Sequence, residues 1–153
     1  MPTPRSGAVA VPVSSGIYVI GGLDSSGAVQ PANEYYDLAS GTWTKKSPGP
    51  ARSEAAATYI CSTPCARPSI YFLGGRDAGQ NYSSAVDIYA IDTDTWTTGI
   101  PMPEGRLAFG VITDNSGIIY AVGGVIGPPT TVVSLNESFD PSKIKYLYEK
   151  TSP

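Results

Sequence analysis

Apolar positions in this chain gather in short runs, and three of the runs read alike. Ile17-Tyr18-Val19-Ile20, Ile70-Tyr71-Phe72-Leu73 and Ile119-Tyr120-Ala121-Val122 each stop at a glycine pair: Gly21-Gly22, Gly74-Gly75 and Gly123-Gly124. A short apolar run bounded by turn residues, rich in β-branched and aromatic side chains, predicts a strand buried on both faces. The second glycines lie 53 and then 49 residues apart, so the chain is an internal repeat before it is anything else.

Two further sets of positions keep the same period. Tyr36-Asp37 is followed by Trp43, Tyr89 by Trp96, and Phe139-Asp140-Pro141 by Tyr146, each step being seven residues. The first aromatic follows the second glycine by 14, 14 and 15 residues. Ahead of each apolar run, Arg5, Arg52 and Arg106 stand just after proline-rich turns and open stretches of small apolar residues. The spacing from the arginine to the glycine pair is 16, 22 and 17 residues, which marks an insertion of about five residues in the middle repeat, around Cys61 to Pro68.

The proline turn with its arginine, the glycine pair and the Tyr-Asp…Trp ending together resemble the kelch repeat, over essentially the whole chain. The resemblance implies an all-β fold of three four-stranded antiparallel blades, spanning about residues 1–47, 48–100 and 101–153 of a single domain. In each blade the small residues would form the inner strand, and the strand three and strand four aromatics would fill the wider outer gap. Loops following the glycine pairs, Leu23 to Pro31, Arg76 to Asn81 and Val125 to Thr131, would share one face with the proline turns. The third repeat departs most from the pattern, with Phe139 for Tyr and Tyr146 for Trp; the second has Ala90 where the first has Asp37.

Composition narrows the chemistry. The chain has 153 residues, a net charge of -3, only 15% charged residues, 17 glycines and 14 prolines. Ten scattered basic residues make no footprint for nucleic acid or an anionic membrane. No apolar run reaches the roughly 18 residues of a membrane helix, and the first residues do not read as a signal peptide. The compartment is left open. There is no histidine, which removes His-based triads, His general bases and most transition-metal sites. No metal and no cofactor is expected.

Arg5, Arg52 and Arg106 have two readings: buried guanidinium groups that satisfy loop carbonyls, or a ring at a channel mouth that pairs with a carboxylate ligand. In kelch proteins that bind acidic peptides, arginines on this face do such work. Asp24, Arg76, Asp77, Gln80 and Asn81 fall in the loops after the glycine pairs and are candidate rim contacts. Cys61 and Cys65 are the only cysteines; a small disulfide and free thiols both stay open. Asn81-Tyr82-Ser83 and Asn136-Glu137-Ser138 match the glycosylation sequon. No pair of acids has a spacing that fixes a glycosidase geometry.

Three blades do not close a ring, since propellers use four to eight. The expectation is therefore half of a six-bladed ring, completed by a second copy or by further blades of a longer chain. The function expected is a non-catalytic module that presents its loop face to a protein or peptide, with an acidic ligand favoured by the arginines. The alternative is a carbohydrate-binding or sugar-modifying propeller of the mutarotase type.

Overall fold

The computed structural model describes residues 1–61, 67–127 and 129–141. Every regular element among them is a strand. The first sheet runs β1 (Val9–Val13), β2 (Gly16–Ile20), β3 (Asn33–Asp37) and β4 (Thr42–Lys45), in sequence order and antiparallel throughout. The second repeats it with β5 (Ala56–Ile60), β6 (Ser69–Leu73), β7 (Val86–Ala90) and β8 (Thr95–Thr98). These are the four-stranded blades that the repeats predict.

The third repeat divides differently. Strands β10 (Gly110–Thr113), β11 (Ile119–Val122) and β14 (Asn136–Phe139) form a three-stranded sheet. The fourth strand expected there, with Tyr146, lies outside the described residues. A small sheet of β9 (Arg106–Leu107), β12 (Val125–Ile126) and β13 (Thr131–Val132) extends it. The first two blades reduce that pairing to single bridges, Ser6 to Leu23 to Val29 and Ser53 to Arg76 to Tyr82.

Inner strands stand side by side, β5 between β1 and β10, so the blades stack face to face. Strand alternation sends Val11, Tyr18 and Ile20 of the first blade against Ile70, Phe72 and Tyr89 of the second. The opposite face of the second blade packs Ile60, Leu73 and Val86 on Ile119 and Met102. Trp96 sits 5.0 Å from the Tyr89 ring and 6.2 Å from Phe72, filling the outer part of the first seam.

The glycine pairs weld one blade to the next. The Gly22 N–H donates to the Arg52 carbonyl at 2.9 Å, and the Gly75 N–H to the Arg106 carbonyl at 2.8 Å. A Cβ on Gly21 would stand 2.3 Å from the Arg52 carbonyl oxygen, and one on Gly74 would stand 2.6 Å from that of Arg106. Both glycines also have positive φ, so close approach and backbone conformation each require glycine there. This places the period-keeping glycine and arginine in contact across each seam.

Candidate functional site

The three repeat arginines are not a ring of exposed cations. Their side chains are 0%, 5% and 0% exposed for Arg5, Arg52 and Arg106. Each guanidinium reaches across its own blade to the second strand or the glycine pair that ends it, and to a carboxylate on the third strand. Arg5 donates to the Val19 carbonyl at 2.9 Å and pairs with Glu34 at 2.7 Å. Arg52 donates to the Phe72 carbonyl at 3.3 Å and pairs with Asp87 at 2.5 Å. Arg106 donates to the Gly123 carbonyl at 3.4 Å and pairs with Glu137. In each blade a carboxylate of the chain itself already occupies the place that a ligand carboxylate would take, and the pair ties the arginine into its own blade.

The acids are the other half of this pattern. Glu34, Asp87 and Glu137 each stand two residues before the repeat aromatic, and each lies opposite the second strand, across from Val19, Phe72 and Ala121. The signal was present as an acid at fixed offset, without anything local to tie it to an arginine. Burial raises the Glu34 carboxyl, but hydrogen bonds from Thr3 and Arg5 and the arginine charge outweigh it and hold the group below the usual carboxylate range.

The loops after the glycine pairs do gather the other candidates. In the second blade Arg76 is partly exposed, pairs with Glu54 at 3.3 Å and bonds Gln80 at 3.3 Å. Its guanidinium lies 5.8 Å from the centre of the Tyr82 ring. Asp77 and Asn81 close the loop: Asn81 donates its backbone N–H to Asp77 at 2.9 Å, and its amide reaches both carboxylate oxygens at 3.2 Å. Those bonds, the backbone one first, hold Asp77 below the ordinary aspartate range.

Asp24 does the same work one blade earlier. It accepts from the Ser26 hydroxyl at 2.6 Å, the Ser26 N–H at 2.9 Å, the Ala28 N–H at 3.1 Å and the Gln30 amide at 2.7 Å. The Ser26 hydroxyl and the Ala28 N–H pull its carboxyl down. Asp24 and Asp77 are thus turn organisers that shape the face, with their hydrogen-bonding capacity largely spent.

Two residues join this face that the sequence did not single out as contacts. Glu54, at φ 54, is held in the left-handed region by its bonds to the neighbouring blades. Tyr82 reaches over to the third blade, its hydroxyl 3.1 Å from that of Thr130. Beside it, Glu104, Gly105, Ile126, Gly127, Pro129 and Thr131 line an open depression of about 310 Å³. The face therefore presents Arg76, Glu54 and Tyr82 beside a shallow, partly apolar hollow.

On the opposite face, Tyr59, Cys61, Asn115 and Ser116 border a second hollow of about 580 Å³ between the second and third blades. The Cys61–Cys65 pairing needs Cys65, which lies outside the described residues. Among the described residues no group of three or more His, Cys, Asp or Glu side chains assembles as a metal site. Among the described residues no helix is long and apolar enough to cross a membrane.

A family profile for the Kelch motif matches residues 4–50. The Kelch-like protein terF of Aspergillus terreus is 32% identical over 133 residues, which is 80% of this chain and 28% of that protein. Beta-scruin of Limulus polyphemus is 30% identical over 132 residues, covering 82% of this chain and 14% of its own length. Alpha-scruin of the same animal is 41% identical over 56 residues, or 37% of this chain and 6% of the relative. The chain thus spans between 6% and 28% of the length of these relatives.

Proposed function

Because the chain belongs to the kelch-repeat family, we propose that it is a non-catalytic protein-interaction module whose binding surface is the face formed by the loops after the glycine pairs. The observation that carries this is the division of labour among the arginines. Arg5, Arg52 and Arg106 are consumed inside the blades, while Arg76 stays partly exposed beside Glu54, Tyr82 and the hollow of the third blade. An aromatic ring, an arginine and an adjoining shallow hollow are the ingredients of a protein contact centre.

This arrangement changes the partner expected. With the repeat arginines buried, Arg76 is left among Glu54, Asp77 and Glu104, so the surface suits a partner of mixed polarity rather than a uniformly acidic one. The sugar-modifying alternative gains no support, since Asp24 and Asp77 are spent on turns and Glu54 on Arg76. The stacked blades leave two outer faces, whose cover is a second copy of the chain or further blades.

The test is a selection of peptides from a random displayed library on the immobilised chain, followed by titration of the best binder. The double variant Arg76→Ala/Tyr82→Ala should weaken that binder tenfold or more without moving the urea midpoint. A binder that holds equally well to the double variant places the binding surface elsewhere.

A further inference from the structure

Two chains of backbone hydrogen bonds run from blade to blade, and both stop with a free complementary end on each side. In the first, the Glu54 N–H donates to the Gly7 carbonyl at 2.9 Å and the Ala108 N–H donates to the Glu54 carbonyl at 3.0 Å. Gly7, Glu54 and Ala108 each lie two residues after a repeat arginine and all have positive φ, between 51 and 61. In the second chain, the Gly22 N–H donates to the Arg52 carbonyl and the Gly75 N–H to the Arg106 carbonyl. Among the described residues, the Gly7 N–H, the Arg5 carbonyl, the Ala108 carbonyl and the Gly124 N–H are without partners.

The loose ends match. The first blade offers one acceptor, Arg5, and one donor, Gly7, with the two-residue spacing that Arg52 with Glu54 and Arg106 with Ala108 use inside the molecule. The third blade offers the donor Gly124 and the acceptor Ala108. The socket is also empty sterically: the nearest atom to a Cβ on Gly123 is the Val133 carbonyl oxygen, at 3.6 Å, where Gly21 and Gly74 meet an arginine carbonyl at 2.3 and 2.6 Å.

The side chains around these ends repeat the logic. Ile112 is 64% exposed and Val122 is 49% exposed on the outer face of the third blade, at the positions of Thr58 and Leu73, which the second blade buries. On the outer face of the first blade, Leu38 is 61% exposed, at the position of Ile91, which packs into the first seam.

We propose that a second copy of this chain docks head to tail, seating the Arg5–Gly7 segment of each copy on the Gly123–Gly124 pair and the Ala108 carbonyl of the other. A two-fold pair closes both hydrogen-bond chains at once through two identical seams, each like the seams already inside the chain. The same operation covers Ile112, Val122 and Leu38.

The experiment is the solution mass of the unliganded 153-residue chain by light scattering across a hundredfold dilution, which reads this proposal independently of any binding surface on the loops. Wild type should run near twice 16.0 kDa. Gly123→Asn blocks the socket, yet asparagine tolerates positive φ and its Cβ makes only an ordinary van der Waals contact in the single chain, 3.6 Å from the Val133 carbonyl oxygen. Ile112→Lys puts a charge on the seam from a position exposed in the single chain. Both variants should run near 16.0 kDa with an unchanged β-sheet circular dichroism spectrum. A single-chain wild type, a ladder of larger open species, or variants that keep the double mass would overturn it.

Discussion

The central blade and the first blade are built from nearly the same residues and bury them very differently. Ile70 is 0% exposed in the second blade, whereas Ile17, at the matching position of the first, is half-buried. Tyr89 is buried and its counterpart Tyr36 is not. The difference lies in the neighbour, because a blade buries its second strand only when another blade covers that face. The arginine–carboxylate pair behaves in the opposite way. Arg5 and Glu34, 0% and 1% exposed in the first blade, are no less buried than Arg52 and Asp87, 5% and 15% exposed in the central one, since the pair is made within one blade. Each repeat therefore carries two kinds of core, one complete in the blade and one completed by stacking.

The largest effects should come from the core made within a blade. Arg52→Ala leaves the largely covered Asp87 without its cation and should cost about 3–5 kcal/mol by urea denaturation. Arg5→Ala should cost about the same 3–5 kcal/mol despite sitting in an outer blade, because Glu34 is stranded in the same way. If Arg5→Ala proves nearly neutral, the claim that this core is independent of neighbours is wrong.

The stacking core should separate the blades. Ile70→Ala should cost about 2–5 kcal/mol, and Ile17→Ala about 1 kcal/mol in dilute protein. A loss at Ile17 that grows with protein concentration would show its outer face being covered by another molecule. Equal losses at both sites in dilute protein would mean that the first blade is not the edge of the stack.

Much of this fold was legible because the repeat writes its own period. The glycine pairs, the apolar runs and the seven-residue aromatic steps put strands β2, β6 and β11 and the turns after them where the structure has them. The arginines were visible but their role was divided, because their acid partners lie 29, 35 and 31 residues away, with no local constraint joining them. Register across two antiparallel pairs, not sequence proximity, brings Glu34 to Arg5. In the loops, the sequence marks Asp24, Arg76, Asp77 and Asn81 as polar rim residues. That Asp24 and Asp77 are consumed by turns, while Glu54 and Tyr82 join Arg76, follows from backbone bonds between blades that residue types alone do not reveal.

The two internal seams also differ in charge, and this gives the smallest and most selective effect. The first seam is clamped by Asp94, which accepts the Ser47 N–H at 2.9 Å and the Tyr89 hydroxyl at 2.5 Å, while Trp96 donates to the Ser47 carbonyl at 3.0 Å. The second is bridged by the uncharged Thr58 and Thr113 hydroxyls at 2.8 Å. Burial raises the Asp94 carboxyl, but the bonds from Tyr89 and Ser47 prevail and leave it below its ordinary value. A carboxyl depressed in the folded state binds fewer protons there than in the unfolded chain. Its stabilisation is therefore fully present above about pH 4, the unfolded value, and drains away as the pH falls through the lower folded one. Acid should loosen the first seam before the second, read as a change in Trp96 fluorescence in a Trp43→Phe background that precedes global unfolding. Asp94→Asn keeps a residue that tolerates the φ of 54 at this position, and it should abolish that early step. An early step that survives in Asp94→Asn would assign the acid sensitivity to a different carboxylate and erase the proposed contrast between the seams.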